Sequence, residues 1–247
     1  MRNDSIACSH ISVFVRIRPK LIAIVGGSGA GKSWLSQRLQ ETLKLPLTRV
    51  SLDDFYRDQS HLPPAGRDRV NYDHPRAIDW PVAQAVLQAC RLGRKVQAPE
   101  YDFVTHTRVR KSRVLTPKPV ILMDGLWLLW RPEIRRMFDL RIFLDCPARL
   151  RLNRRIERDR TTRGRDVRSI HRQFRESVAP MHKLFVAPQA RWADVILRRP
   201  PDKHEIEDLA VMVREMIEKP EMSGFGRFGR KRIGQRFERA LSEVGGH

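Results

Sequence analysis

The chain has 247 residues, of which 41% are hydrophobic and 31% are charged, so it is long enough for one α/β domain with a sizeable core. Its formal net charge of +20 predicts contact with negatively charged groups, such as nucleic acid or phosphates. The cysteines Cys8, Cys90 and Cys146 are too scattered to suggest a disulfide framework or a zinc site, and no apolar run reaches the length of a membrane span. Residues 1–20 lack the apolar stretch of a signal peptide, and we therefore expect a cytoplasmic protein.

The first predicted element is a buried strand over residues 21–25, which is followed directly by a glycine-rich loop. The loop has the P-loop pattern, in which glycines let successive N–H groups point at phosphate oxygens. A helix follows, and its positive end adds to the attraction for anions. Lys32 is expected to neutralise the β- and γ-phosphates, and the Ser33 hydroxyl to bind magnesium. The residues predicted to bind the nucleotide are Gly26, Gly27, Ser28, Gly29, Ala30, Gly31, Lys32 and Ser33.

Predicted strands and helices alternate along the rest of the chain, which indicates a parallel sheet covered on both faces. Further strands are predicted over residues 47–52, 120–123, 141–144 and 195–197. Helices are predicted from the cap Asp79 to Gly93, over residues 147–158, over residues 167–178 with an end before Pro180, and over residues 205–218. Residues 101–110 are predicted to form a short strand or hairpin.

Acidic residues follow predicted strands at Asp53, Asp124 and Asp145. In an open parallel sheet, ligands bind beyond the carboxyl ends of the strands. Asp53 and Asp54 are candidates for the carboxylate that orients an attacking hydroxyl and accepts its proton, and spacing alone does not choose between them. Asp124 is a candidate magnesium ligand, with an ordinary Asp-Gly turn as the alternative.

The region from residue 148 to residue 200 contains 15 Arg or Lys against 5 Asp or Glu. This excess is typical either of a nucleic-acid surface or of an arginine-rich cover over phosphates. The arginines around Gly164 fit a solvated helix face, and they equally fit a lid that brings guanidinium groups to a transferring phosphoryl group. Tyr101, Phe103 and His106 fit an ordinary core edge or a pocket that stacks a flat base.

Taken together, these residues resemble the uridine kinase (uridine–cytidine kinase) family. The matching strings follow the P-loop in order, at residues 51–62, 71–75, 101–108, 163–166 and 192–196. The resemblance implies transfer of the γ-phosphoryl group of ATP or GTP to the 5′-hydroxyl of uridine or cytidine, with Mg²⁺ as cofactor. The expected fold class is α/β: a P-loop kinase-type parallel β-sheet flanked by helices on both faces, with a small β-hairpin and lid region.

The resemblance also implies roles for single residues. It makes Asp53 the base and Asp73 the group that holds the ribose hydroxyls. Tyr101 and His106 match pyrimidine contacts, with Phe103 and Tyr56 as walls. Arg155 and Gln173 match sugar contacts, and Arg165 matches a base contact. Arg158 and Arg163 match lid arginines that face phosphates. Asp202 matches a nucleotide contact. Asp124 departs from the family, which usually has glutamate there, and Pro200-Pro201 depart from its usual Pro-Arg-Gly turn.

We predict a kinase domain over residues 20–218, an N-terminal extension over residues 1–19 and a mobile basic tail over residues 219–247. The resemblance implies a small-molecule nucleoside partner, a homotetramer and no membrane contact, while nucleic-acid contact by the tail stays open. The first alternative function is that of a related P-loop kinase for another small alcohol, such as a phosphorylated sugar. The second is a nucleotide-regulated nucleic-acid-binding protein.

Overall fold

Apolar runs of the sequence form a five-stranded parallel sheet in the order β2-β7-β1-β8-β9. The computed structural model describes residues 18–67 and 69–218, apart from the side chain of Arg163. The strands are β1 (Lys20–Gly26), β2 (Leu47–Ser51), β3 (Val96–Ala98), β4 (Tyr101–Asp102), β5 (Thr107–Arg108), β6 (Arg113–Leu115), β7 (Val120–Gly125), β8 (Leu140–Leu144) and β9 (Val195–Leu197). The antiparallel pairs β3–β6 and β4–β5 lie outside the main sheet.

Helices cover the two faces of the sheet. They are α1 (Lys32–Leu43), α2 (Pro64–Arg67), α3 (Trp80–Arg91), α4 (Pro132–Arg135), α5 (Ala148–Arg163), α6 (Val167–Gln173), α7 (Ala179–Met181) and α8 (Lys203–Glu218). The predicted cap of α3 is present, because the Asp79 carboxylate accepts a hydrogen bond from the Val82 N–H at 3.4 Å. Among the described residues, none of the helices has both the length and the apolar character needed to cross a bilayer.

The core consists of two apolar clusters, one on each face of the sheet. Strand β1 is buried along its whole length, and its side chains alternate between the faces. Leu21, Ala23 and Val25 pack into the cluster that includes α3, whereas Ile22 and Ile24 pack into the cluster that includes α1 and α8. The predicted α/β class with a parallel sheet is therefore confirmed.

The predicted end of a helix before Pro180 is wrong. The helical backbone continues past this residue because the turns on either side of α7, Phe174–Val178 and His182–Val186, are π-helical. Proline lacks an N–H and its ring collides with the preceding turn of a regular α-helix. The wider π-turns change the hydrogen-bonding register around the ring, so the chain passes Pro180 without breaking the helix.

The strand order sets the position of the loops. Since all five strands are parallel, their carboxyl ends meet at one edge, with β1 at the centre. The register places Asp124 beside Ile24 of β1 on one side and Ser51 of β2 on the other. The predicted N-terminal extension, up to residue 17, and the predicted basic tail lie outside the described residues, so the proposed domain limits stay a prediction.

A Gly125→Ala substitution at the end of β7 tests this close packing. An added Cβ would lie 2.5 Å from the Cβ of Leu52, and both positions are buried. We expect the free energy of unfolding to fall by about 1–3 kcal/mol, because the core must shift to accept the methyl group. Urea denaturation followed by circular dichroism measures the change.

The matched control is Gly66→Ala in α2, where the nearest atoms would be at an ordinary 3.5 Å. This variant should be as stable as the original chain or slightly more stable. Equal stability of the two variants would contradict the packing at Gly125.

Candidate active site

The loop between β1 and α1 adopts a conformation that requires glycine. Gly29 and Gly31 have positive φ angles of 77° and 95°. A Cβ on Gly29 would lie 2.4 Å from the carbonyl oxygen of Arg151, so α5 packs directly against the loop. Residues 28–31 of this loop and the first two residues of α1, Lys32 and Ser33, line a cavity of about 350 Å³. The predicted nucleotide-binding residues Gly26 and Gly27 precede these residues and do not line the cavity.

Lys32 lies on the wall of this cavity, which we call the nucleotide cavity, and two carboxylates lie near it. Its Nζ donates a hydrogen bond to the carbonyl oxygen of Gly27 at 3.1 Å. Burial lowers the pKa of Lys32, and the charges of Asp53 and Asp124 act in the opposite direction. Burial likewise raises the pKa of Asp124, which is 8% exposed and is opposed by the Lys32 charge. Lys32, Arg154 and Arg158 give this cavity three cationic side chains against the two carboxylates of Asp53 and Asp124, which suits an anionic ligand.

A second cavity adjoins the nucleotide cavity. The two share Ser28, Asp53, Leu126 and Arg158 as a common wall. Every residue predicted on the acceptor side lines this acceptor cavity: Tyr56, Asp73, Tyr101, Phe103, His106, Arg155, Arg165 and Gln173. The fold therefore brings together residues that are far apart in the sequence.

The structure separates the two carboxylates that spacing left open. Asp53 follows β2 in a short 3₁₀ turn (Leu52–Phe55) and lines both cavities. Its Oδ1 is buried and has no hydrogen-bond partner among the described residues, so this acceptor is available to a ligand. Asp54 is paired instead with Arg113 at 3.5 Å, and burial raises the pKa of Asp54 to about 6. Of the two, Asp53 is thus the carboxylate that faces both cavities.

Aromatic rings form one wall of the acceptor cavity. The ring centroids of Tyr56 and Tyr101 are 5.2 Å apart, and Phe103 lies at 5.3 Å from Tyr101 with its edge toward it. Tyr72 and His106 stack at 4.3 Å with an interplanar angle of 11°. Tyr72 was missed as a site residue, although it lies within one of the matching strings and next to Asp73.

Polar groups form the opposite part of the acceptor cavity. Arg155 is only 5% exposed, and it donates to Ser28 Oγ at 3.0 Å and to Gln173 Oε1 at 2.9 Å. Arg165 donates to the same Gln173 oxygen at 2.8 Å. Asp73 accepts a hydrogen bond from Ser177 at 2.8 Å. These contacts fix the side chains in place, as recognition of a hydroxyl-rich ligand requires.

Arginines of α5 lie along both cavities. Arg158 lines both, and its Nε donates to Asp159 at 2.9 Å. Arg154 lines the nucleotide cavity, with its Nη1 3.3 Å from the carbonyl oxygen of Ala30. Sequence reasoning missed Arg154, although its spacing of four residues from Arg158 places both on one helix face. The side chain of Arg163 is outside the described part, and its predicted role stays a prediction.

The predicted contact of Asp202 is not among the groups brought together. Asp202 caps α8: its carboxylate accepts from the Glu205 N–H at 3.0 Å, and it pairs with Arg199 at 3.0 Å. The neighbours Pro200 and Pro201 line the nucleotide cavity in its place. The third strand-end acid, Asp145, is exposed to solvent and does not line either cavity.

His182 lies beneath the P-loop. Its Nδ1 is 2.9 Å from the position that a Cβ on Gly27 would take, and a guanidinium nitrogen of Arg151 is 2.7 Å from the same point. Nδ1 is buried and has no hydrogen-bond partner among the described residues. Burial lowers the pKa of His182 to about 4, and the charges of Arg151 and Lys32 act in the same direction. The neutral ring is therefore part of the support of the loop.

Comparison with known proteins links this site to one family. The model of the Phosphoribulokinase / Uridine kinase family matches residues 21–205. The chain is 40% identical over 182 residues to a uridine kinase of Deinococcus deserti, a match that covers 73% of this chain and 88% of the relative. It is 36% identical over 208 residues to a uridine kinase of Clostridium tetani, which covers 83% of this chain and 99% of the relative.

Solved structures are similar in fold. A phosphoribulokinase from Rhodobacter spheroides has a TM-score of 0.54 at 17% identity, with 72% of this chain and 68% of that chain covered. A D-glycerate 3-kinase from Cryptococcus neoformans has a TM-score of 0.52 at 16% identity, with coverages of 68% and 79%. At these identities the similarity concerns the fold alone.

We expect acid to destabilise the fold through His182. Its pKa is about 4 in the folded chain against a usual value of 6.5, so the unfolded chain binds more protons between these values. The contribution of His182 to the free energy of unfolding is therefore at its full value above about pH 6.5, and it is lost as the pH drops toward 4. The loss at pH 5 relative to pH 7.5 is on the order of 1–2 kcal/mol, and a His182→Gln variant should lack this part of it.

Urea unfolding at the two pH values measures both losses. His171→Gln, at an exposed position in α6, is the matched control and should retain the full pH dependence. If His182→Gln lost as much stability in acid as the original chain, other groups would be responsible.

Proposed function

The chain belongs to the Phosphoribulokinase / Uridine kinase family, and we propose that it is a uridine–cytidine kinase. The bond between the γ-phosphorus of ATP or GTP and the bridging β-phosphate oxygen breaks as a bond to the 5′-hydroxyl oxygen of the nucleoside forms, which gives UMP or CMP and releases ADP or GDP. One observation carries the proposal: Asp53 lies in the wall shared by the cavity that the P-loop lines and the cavity that the aromatic rings line. A phosphoryl group in the first cavity and an acceptor hydroxyl in the second would come together beside Asp53.

Asp53 is the general base in this proposal. Its buried Oδ1 accepts a hydrogen bond from the 5′-hydroxyl, orients the oxygen toward the γ-phosphorus and takes the proton as the new bond forms. Lys32 and the P-loop N–H groups stabilise the negative charge on the transferring group. Arg158, which lines both cavities, is placed to hold the same charge as the phosphoryl group passes between them.

The acceptor cavity supports a nucleoside over a phosphorylated sugar. The faces of Tyr56, Tyr101 and Phe103 offer contact to a flat pyrimidine ring, which a sugar phosphate lacks. Arg155 and Gln173 form a polar counterpart on the sugar side, and Asp73 is available to the ribose hydroxyls. A pocket built to pair hydroxyl groups rejects analogues without them, because its own polar groups would stay unpaired.

Ser33 and Asp124 would hold Mg²⁺. Both line the nucleotide cavity, and a hydroxyl, one carboxylate and phosphate oxygens are the oxygen ligands that this ion takes in kinase sites. No cluster of three metal-binding His, Cys, Asp or Glu side chains occurs within residues 18–67 and 69–218. When bound, the ion neutralises charge on the β- and γ-phosphates. The proposed homotetramer rests on resemblance to the family.

The function is tested by measuring ADP release with ATP and Mg²⁺ in the presence of single acceptors. Uridine and cytidine should stimulate release strongly, while adenosine and ribulose 5-phosphate should leave it at the level without acceptor. Stimulation by ribulose 5-phosphate instead would make the chain a sugar-phosphate kinase. Release without dependence on any acceptor would leave only a nucleotide hydrolase.

Asp53→Asn is expected to lower kcat for uridine by about 10²–10⁴-fold, because the amide cannot accept the proton. The Kd for ADP should stay within about threefold, since the P-loop is unchanged. The matched control is Asp54→Asn, which alters the neighbouring carboxylate that pairs with Arg113 and should keep most of the activity. Near-normal turnover of Asp53→Asn would remove this residue from the base role.

Asp124 is tested through the magnesium dependence of the reaction. Asp124→Asn should raise the Mg²⁺ concentration for half-maximal activity by about tenfold or more, because the anionic ligand is lost. Asp124→Glu keeps the carboxylate and should stay close to the original chain. Identical magnesium curves for the original chain and Asp124→Asn would exclude Asp124 as a ligand.

A further inference from the structure

The nucleotide cavity has two chemically different ends. Asp53 and Asp124 follow β2 and β7, on one side of β1. Pro200 and Pro201 follow β9, which is the other edge of the sheet and lies two strands from β1, about 10 Å away at the spacing of paired strands. The P-loop lies between them. A ligand whose phosphates occupy the P-loop and point toward Asp53 therefore extends its remaining part toward β9.

Trp34 supplies a large aromatic ring to the wall of the same cavity. It is the third residue of α1, it lines the nucleotide cavity, and it is 43% exposed. The guanidinium group of Arg38 lies 5.8 Å from the centroid of its ring. An exposed tryptophan directly beside a phosphate-binding helix terminus is a large apolar surface without core packing. Flat apolar rings are its natural ligands.

We propose that Trp34 binds the purine ring of the phosphate donor by stacking, with Pro200 and Pro201 completing the apolar end of the cavity. The inference rests on the proposed use of a nucleoside triphosphate as donor. Trp34 is close to the phosphates by its place in α1, and its indole face supplies the contact that a nucleotide has and an inorganic polyphosphate lacks. Stacking of a base on an aromatic side chain accounts for about a tenfold gain in affinity.

The experiment compares a nucleotide with an inorganic polyphosphate, which has neither the ribose nor the base assigned to Trp34. We expect Trp34→Ala to raise the Kd for Mg·ADP about tenfold in calorimetric titrations, and to leave the Kd for tripolyphosphate within about twofold. Trp34→Phe keeps an aromatic face and should recover most of the ADP affinity. ADP should also quench the tryptophan fluorescence of the original chain, and this quenching should be absent from Trp34→Phe.

Trp192→Phe is the matched control. Its ring packs against the guanidinium groups of Arg135 and Arg191 at 4.0 and 4.1 Å, and it does not line the nucleotide cavity. This variant should bind both ligands normally and keep the quenching by ADP. The comparison separates a contact with the base from a general effect of replacing a tryptophan.

Two results would overturn the inference. An equal loss of affinity for ADP and tripolyphosphate in Trp34→Ala would mean that Trp34 supports the P-loop, and an unchanged affinity for ADP would place the base elsewhere. The titrations contain no acceptor, so they do not depend on which nucleoside is phosphorylated. If the original chain bound neither ligand, the proposed nucleotide chemistry would fail together with this inference.

Discussion

The packing of α5 against the P-loop is the contact on which the site depends. The carbonyl oxygen of Arg151 comes so close to Gly29 that only a hydrogen atom fits on that α-carbon. This contact fixes the distance and rotation of α5, and the helix then delivers Arg154 to the nucleotide cavity, Arg155 to the acceptor cavity and Arg158 to both. A glycine in the loop thereby determines where three guanidinium groups lie.

The electrostatics of the site reflect a ligand that carries negative charge. Arg155 is buried and Lys32 is half-buried, each at a cost in solvation that nearby carboxylates only partly offset. His182 avoids this cost by remaining neutral between Arg151 and Lys32. Negatively charged phosphates in the nucleotide cavity would offset the positive charge of these side chains.

Much of the fold and of the site was predictable because parallel strands bring their carboxyl ends to one edge. From that rule we expected Asp53 and Asp124 beside the P-loop, and the alternation of predicted strands and helices indicated the parallel sheet. The rest depended on contacts that local patterns do not encode. Spacing did not distinguish Asp53 from Asp54, and only the family resemblance chose Asp53 before the structure showed Asp54 paired with Arg113. The helical backbone continues through Pro180 because π-turns flank it.

Contacts across the fold also account for the residues that were missed or placed differently. Arg154 and Tyr72 reach the cavities through tertiary packing, and Asp202 caps a helix where a nucleotide contact was expected. The short pair β3–β6 has three residues in each strand, too few for a periodic signal. The sequence therefore predicted the candidate reactive groups more completely than it predicted the side chains that line the cavities around them.

The common wall of the two cavities has a thermodynamic consequence. Both cavities are lined by Ser28, Leu126 and Arg158, so a ligand in one cavity changes the wall that a ligand in the other cavity contacts. The resulting coupling free energy is a property of the ternary complex and is reciprocal. If bound nucleotide changes the Kd for the nucleoside by some factor, bound nucleoside must change the Kd for the nucleotide by the same factor.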